Sequence, residues 1–473
     1  MQTIPFSNIN MGGLADSAYL GAKNSVADMI GFDIHSEVGI LKVNQALTKE
    51  SGTTVDDLIN TGVACSDGKT YLFGSTNGKI WSRTSGGTYA LEATASPAAG
   101  AIGILSAREY QGYIYYAMQS RLGRWQIGSA WSTRNDSWAT FANGDVSWHP
   151  MLELNLVLYI GDAYYVAQVD AGVFSQQALT LSLPTECRAK CLGNLGTDLL
   201  VGTYVSSNII STKIFRWNTW SVSFTSSDPI PEVGINAFIP TDNFVIINAG
   251  TKGNLYIYDG ATLEPYKQIP GSWNSTNKAT VNPNATLNFN GLPLFGLSYS
   301  VGAPCNLAIY SLGRANRNYP YVLNCEVGIS STNLSKVEIG AIIGVGDIYL
   351  VTWKDTTTGT VYGVDKLDLS LKYPSPYVTT RIMMNSRILM QNYNVVNVGY
   401  RLLPTNTVIN IYKKVNYGSF TLIDPTDCSV DTDRNVVMSE VDINNATTVQ
   451  VKIAPTVSGN TAPEIDYFEV LIN

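Results

Sequence analysis

Short apolar runs recur along this chain, each followed by a second strand-like phrase. The runs begin at Thr70 ("TYLFGST"), Tyr113 ("YIYYAMQ"), Leu156 ("LVLYIGD"), Asp198 ("DLLVGTY"), Phe244 ("FVIINAG"), Pro293 ("PLFGLSY") and Ile348 ("IYLVTW"), with successive starts 43, 43, 42, 46, 49 and 55 residues apart. The following phrases include "GKIWSRT" (78–84), "TKIFRWN" (212–218), "GNLYIYDG" (253–260), "CNLAIYS" (305–311) and "GTVYGVDKLD" (359–368). A further, often aromatic, run comes next: "TYALEAT", "SWATFAN", "QALTLSL", "WSVSFTS", "PYKQIPG", "YVLNCEV", "YVTTRIM". Another short run precedes each pair, as in "GVACSD", "GILSARE" and "AKCLGNL".

Four short strands in every ~40–50 residues is the period of a β-propeller blade. A lone blade cannot bury both faces, whereas blades stacked in a ring cover one another. Inner strands buried on both sides then read as unbroken apolar runs. The pattern predicts an all-β chain: a seven-bladed β-propeller over 51–384, with each quoted phrase the third strand of its blade. Residues 38–47, "VGILKVNQAL", precede the first full blade. They read either as a strand closing the ring on the outer edge of the last blade, or as a strand of the N-terminal arm (1–50) alone.

The period breaks near Asn385. "VINIYKKVNYGSFTLID" (408–424) is strand, turn, strand, and "TTVQVKIAP" (447–455) alternates, with Val449, Val451 and Ile453 on one face. About six short strands predict a small β-sandwich over 385–473. Helix is nearly absent, with at most a turn or two in 13–31, whose glycines disfavour it.

Composition fits an all-β surface-rich protein. Only 14% of the 473 residues are charged, the formal net charge is −7, and no run of Lys or Arg occurs. A basic groove for nucleic acid is not expected. "MQTIPFSNINMGG" lacks the basic and apolar regions of a signal peptide, and "IGAIIGVGDIYLV" (339–351) is too short to span a bilayer. Synthesis in the cytoplasm without membrane insertion is the expectation.

Candidate chemistry is sparse. Cys65, Cys187, Cys191, Cys305, Cys325 and Cys428 read as buried free thiols, and the one C-x3-C, Cys187 with Cys191, has no partner pair at zinc spacing. Residues 82–89, "SRTSGGTY", follow the Asp-box pattern of sialidase-type propellers with Thr84 and Tyr89 in place of its aspartate and tryptophan. That box is a structural turn rather than a catalytic site. A glycosidase would need converging acids and, for an acidic sugar, arginines. Glu109, Asp136 and Asp162 read as turn or surface residues, and Arg108, Arg121, Arg124 and Arg134 recur on no inner-strand pattern. Trp125, Trp131 and Trp138 serve either blade packing or sugar stacking. His35 and His149 are the two histidines, too few for a His-rich site. The acidic stretch "DPTDCSVDTDRN" (424–435) lacks the central glycine of a calcium loop. No catalytic residue, metal or cofactor is expected. Residues 1–32 read as a docking arm whose tentative partner contacts are Phe6, Leu14, Tyr19 and Leu20.

The opening "GGLADSAYLGAKNSVADMIGFDIHSEVGILKV" and the ending "VQVKIAPTVSGNTAPEIDYFEVLIN" resemble the first and last segments of tailed-bacteriophage virion proteins of the tail-associated propeller type, such as hub and nozzle proteins. The large insertions between blades known from nozzle proteins are lacking. The resemblance implies a non-enzymatic virion component that docks other tail, portal-adaptor or capsid proteins, in several copies around a symmetry axis. The alternatives are a host-glycan receptor-binding protein and a polysaccharide-cleaving propeller.

Overall fold

The computed structural model describes residues 2–472 except 7, 20, 23, 97–102, 144–146, 206–211, 272–277, 300–307, 332–335, 385–390 and 424–435. The chain is all-β, built mainly from repeated four-stranded antiparallel sheets of the kind that form β-propellers. Among the described residues seven such sheets, here called blades, follow one another. The first runs Ile59–Ala64, Thr70–Gly74, Lys79–Arg83, Tyr89–Thr94. The next four repeat this meander up to Leu263–Gln268. The sixth is Ala279–Phe289, Leu292–Tyr299, Ala308–Gly313 and Val322–Gly328. Each quoted phrase is the third strand of its blade: Lys79–Arg83, Thr212–Trp217, Asn254–Tyr258, Ala308–Gly313 and Val361–Lys372.

Burial explains the repeat. Second strands such as Thr70–Gly74 and Val245–Ala249 are buried throughout, whereas the outermost Tyr89–Thr94 is partly exposed. Aromatic side chains fill the gaps between blades. Phe73 stacks on Tyr116 of the second blade at 6.3 Å, and Tyr71 meets Trp125 edge-on at 5.3 Å. Hydroxyls on inner strands tie neighbours together: the Thr61 hydroxyl accepts from Ala107 N (3.2 Å), and the Thr352 hydroxyl donates to Ile59 O (2.7 Å). The latter joins the last blade to the first. Gly340 lies at the same seam, where a Cβ would sit 2.0 Å from Ile59 O, so no other residue fits without moving backbone.

The seventh blade is Val337–Val345, Ile348–Asp355 and Val361–Lys372, and its fourth strand is Gln45–Lys49, with Leu47 opposite Leu367. The chain thus closes its ring with a strand from near its start. The ring-closing strand sits slightly C-terminal to the predicted 38–47, because Lys42–Val43 pairs instead with Phe32–Asp33. Glu50, just past the strand, fastens it to the first blade. Its carboxylate accepts from Arg83 Nε (2.5 Å) and Nη2 (2.8 Å) and from the Tyr89 hydroxyl (2.9 Å).

"YVTTRIM" does not serve the seventh blade, whose outer place is taken. Tyr377–Thr380 pairs with Val26–Ile30 on one side and Thr448–Pro455 on the other. This second kind of sheet runs Val26–Ile30, Tyr377–Thr380, Thr448–Pro455, Ile409–Val415, Thr421–Leu422, with Met383–Met384 also on Thr448–Pro455. A further four-stranded sheet runs Gln2–Pro5, Ile465–Ile472, Gln391–Tyr400, Val436–Ala446. Val396, Val398, Phe468 and Val470 of the one share a core with Ile411, Val449, Val451 and Ile453 of the other. Two edge strands of this terminal unit come from residues 2–30. Gln2–Pro5 and Val26–Ile30 are therefore structural members of this unit rather than of a separate arm, and the unit takes in Tyr377–Thr380 upstream of 385. Helix is confined, among the described residues, to single turns at Ile9–Gly12 and Trp131–Thr133; part of 13–31 is the strand Val26–Ile30.

Candidate functional site

Of the four tentative contact residues, two face inward. Phe6 is 5% exposed, stacks on Phe468 at 4.8 Å, and its N–H donates to Phe468 O. Leu14 is buried, and its N–H donates to Leu323 O on the outer strand of the sixth blade. These side chains bind their own chain, which corrects their reading as partner contacts; spaced apolar residues in a polar segment signal burial without saying against what. Tyr19 is 47% exposed. Leu20 lies outside the described residues.

The arm meets the ring through a buried polar network. Glu326 accepts hydrogen bonds from Asn44 Nδ2 (2.6 Å), from Asn324 Nδ2 (2.8 Å) and from the Ser311 hydroxyl. Asn324 Nδ2 also donates to Phe32 O at 2.7 Å, and His35 Nε2 lies 3.0 Å from Ser311 Oγ. Burial, with a smaller push from Asp33, raises Glu326 to about 7 against the three donors that favour its ionised form. Burial lowers His35 to about 4, so the imidazole is neutral.

The acids weighed for catalysis, with Arg121, Arg124 and Arg134, make structural contacts at separate places. Glu109 accepts from Ser66 N (2.9 Å). Asp136 accepts from the Tyr116 hydroxyl (2.6 Å), Ser96 N (3.0 Å) and Arg134 Nε (2.9 Å). Asp162 is buried beside His149 and accepts from Gln176 Nε2 (2.6 Å). Arg124 lies over the rings of Tyr113 and Trp138, and Arg121 donates to the Ser137 hydroxyl. Trp125 and Trp131 stack on each other at 4.0 Å and both meet Tyr71 of the first blade edge-on, which is blade packing. In "SRTSGGTY" the Thr84 and Gly87 turn joins two strands, and Arg83 and Tyr89 hold Glu50. Cys65, Cys187 and Cys191 are buried free thiols and Cys325 is buried; Cys305, Cys428 and the acidic stretch 424–435 fall outside the described residues.

The central channel has two mouths. One, about 740 Å³, is lined by later parts of the innermost strands and includes Arg108, Glu109 and Glu153. The other, about 460 Å³, lies where those strands begin. Its shape follows from β-bulges. In the first, fourth, fifth and seventh blades the innermost strand carries one extra residue against its partner: Asn60, Lys190, Asn236 and Gly340. An extra residue leaves the ladder and re-aims its side chain. Lys190 Nζ donates to Asn236 Oδ1 (2.8 Å), and Asn282 Nδ2 reaches Asn60 Oδ1 (3.3 Å). No sequence signal marked this set, because its members come from blades 46 or more residues apart.

On the outside, Trp220 is 87% exposed, and Leu181 and Val222 are exposed beside it, with Leu181 N donating to Val222 O (2.7 Å). The loop carrying Trp220 is stiff. Asn218 Oδ1 accepts from Trp220 N, Ser221 N and the Ser221 hydroxyl, and the Trp217 indole donates to Ser221 O. Thr219 stands at φ 67°, unfavourable for a β-branched residue and held by these bonds. "WSVSFTS" therefore contributes a loop, and the fourth strand of that blade is Ser226–Ile230.

No protein-family model and no curated protein matches the chain. Among solved structures it is similar to U3-55K (11% identity, TM-score 0.47, covering 68% of this chain and 98% of that one). It is also similar to a streptogramin B lyase (11%, 0.44, 69% and 98%) and an exo-β-1,3-galactanase from Phanerochaete chrysosporium (10%, 0.32, 91% and 99%). These likenesses concern β-propeller architecture and carry no argument about activity.

Proposed function

We propose that this chain is a non-enzymatic structural component of a tailed-phage virion, tail-associated, in which a seven-bladed propeller with a terminal β-sandwich serves as a rigid docking ring. The observation that carries the reading is the Leu181, Trp220 and Val222 patch on a loop braced by Asn218. A large apolar side chain held out on a fixed frame loses little freedom on contact, which suits association with another protein. The resemblance of the opening and closing segments adds to it: these stretches are neighbours in the fold, Leu41 of the one bridging Ile465 of the other. The acids considered for hydrolysis are engaged in separate structural contacts.

Such a ring works in several copies around a symmetry axis with other virion proteins. Electron microscopy of particles carrying a tagged copy tests the reading. Tag density in repeated positions on the tail is the expected result, and particles lacking the protein would overturn it. A glycan array separates docking from receptor binding: specific saccharide capture favours the latter.

A further inference from the structure

The smaller channel mouth gathers cations in a chain whose net charge is −7. Lys190, Lys278, Lys336 and Lys354 line it together with Trp148, and Glu338 is the carboxylate among them. They come from three blades. Lys190 is the bulged residue of Cys187–Leu195; Lys278 and Lys336 immediately precede Ala279–Phe289 and Val337–Val345; Lys354 lies on Ile348–Asp355. Elsewhere in the ring several cations sit on carboxylates, as Arg83 does on Glu50, Arg134 on Asp136 and Arg216 on Asp198, and Arg124 lies over aromatic rings. Here none of the four lysines forms an ion pair among the described residues. Lys190 instead donates to Asn236 and lies 5.1 Å from the Trp148 ring centroid.

Four lysines against one carboxylate, Glu338, leave this concavity net positive, and low-dielectric walls concentrate that field. The arrangement is relieved by an anion that bridges them. Lysine serves such a ligand as a point charge on a flexible stem, without the fixed geometry of an arginine fork. The roughly 460 Å³ volume admits a small molecule, and Trp148 offers an apolar face beside the charges.

We propose that this mouth binds a small polyanion, a molecule carrying two or more phosphate or carboxylate groups, held between Lys190, Lys336 and Lys354 with Lys278 at the rim. Burial already lowers Lys190 to about 8, as expected for an ammonium that lacks its counter-ion.

The test is calorimetric titration of the full chain with pyrophosphate, with citrate and with an unsaturated diuronate disaccharide, at low and at physiological salt. The expected result is saturable one-to-one binding of at least one probe, weakened at least tenfold by K336Q/K354Q and unchanged by K413Q/K414Q in the terminal unit. Preference for pyrophosphate assigns a phosphate source, and preference for the diuronate an acidic saccharide. Melting curves with and without the best probe provide a second readout: the probe raises the midpoint of the parent chain and not that of K336Q/K354Q. Absence of saturable binding by any probe at millimolar concentration overturns the proposal, as does equal affinity of K336Q/K354Q and parent.

Discussion

The ring and the terminal unit are built by opposite rules. In the ring nearly every strand pairs with the next strand in the chain, as Thr70–Gly74 does with Lys79–Arg83. In the terminal unit Gln2–Pro5 pairs with Ile465–Ile472, and Val26–Ile30 with Tyr377–Thr380. Hairpins close short loops, whereas the long pairings order most of the chain before they form. The seventh blade stands between the two cases, three strands local and one brought from Gln45–Lys49. A repeated local unit is thus finished by long-range strands, and its edges are covered by the chain's own first residues.

The largest effect should follow from removing those residues. Deleting 1–48 takes away the edge strands Gln2–Pro5 and Val26–Ile30 and most of the ring-closing strand. The expected outcome is loss of soluble protein or a fall of many degrees in melting temperature; an unchanged midpoint would mean the ring closes without it. The complementary fragment, 381–473, lacks Gln2–Pro5, Val26–Ile30 and Tyr377–Thr380. Its amide NMR spectrum should be undispersed, and a well-dispersed one would show that the terminal unit needs no strand from elsewhere.

Next in size is Phe6→Ala. Losing a buried aromatic side chain costs about 3–5 kcal/mol. Since Phe6 packs on Phe468 and not on a blade, the loss should fall on the terminal unit. Limited proteolysis should cut the first 30 residues in F6A and spare them in the parent, with the blades resistant in both. Equal protection in both chains would detach Phe6 from the holding of the arm.

Glu326 sits where the two regions meet. Its folded-state pKa of about 7 lies above the ordinary 4.5, so the folded chain binds a proton there that the unfolded chain has lost. The stability contributed by that proton is fully present below about pH 4.5 and is lost as pH rises through 7, a change of about 3 kcal/mol. Glu326→Gln should flatten that decline and leave the mutant relatively more stable at pH 8. Parallel stability curves for the two chains between pH 5 and 8 would refute it.

How much was legible follows the same division. The third strands read correctly because "KIWSR", "KIFRW" and "NLYIY" are local alternations flanked by turns. The composition of "YVTTRIM" suits the outer strand of a blade, and only the pairing with Val26–Ile30 and Thr448–Pro455 shows where it belongs. Phe6 and Leu14 were visible as apolar residues but not as inward ones. The lysines of the small mouth form no run, so a scan for basic stretches passes over them; a bulge in one strand and the closing of the ring bring them together. Trp220 looked like strand aromatics elsewhere, and what distinguishes it is the Asn218 turn that keeps it out of the sheet.

Trp220 gives the smallest effect on stability and the sharpest separation of fold from function. Its side chain is almost fully exposed and lies on the ring, where pairing is local. Replacing an exposed side chain away from caps and networks changes stability by about 0.5 kcal/mol or less. The Asn218 bonds that shape the loop use the backbone of Trp220 and survive the change. Trp220→Ser should therefore melt with the parent chain and, on the proposed docking role, reduce incorporation into particles, measured by mass spectrometry of purified virions. A lowered midpoint would mean that the indole packs on its own ring, and undiminished incorporation would move the docking surface elsewhere on the molecule. An N218A chain sharpens the comparison. It keeps the indole and releases the turn, so reduced incorporation there as well would show that the fixed presentation of Trp220, and not its apolar surface alone, makes the contact.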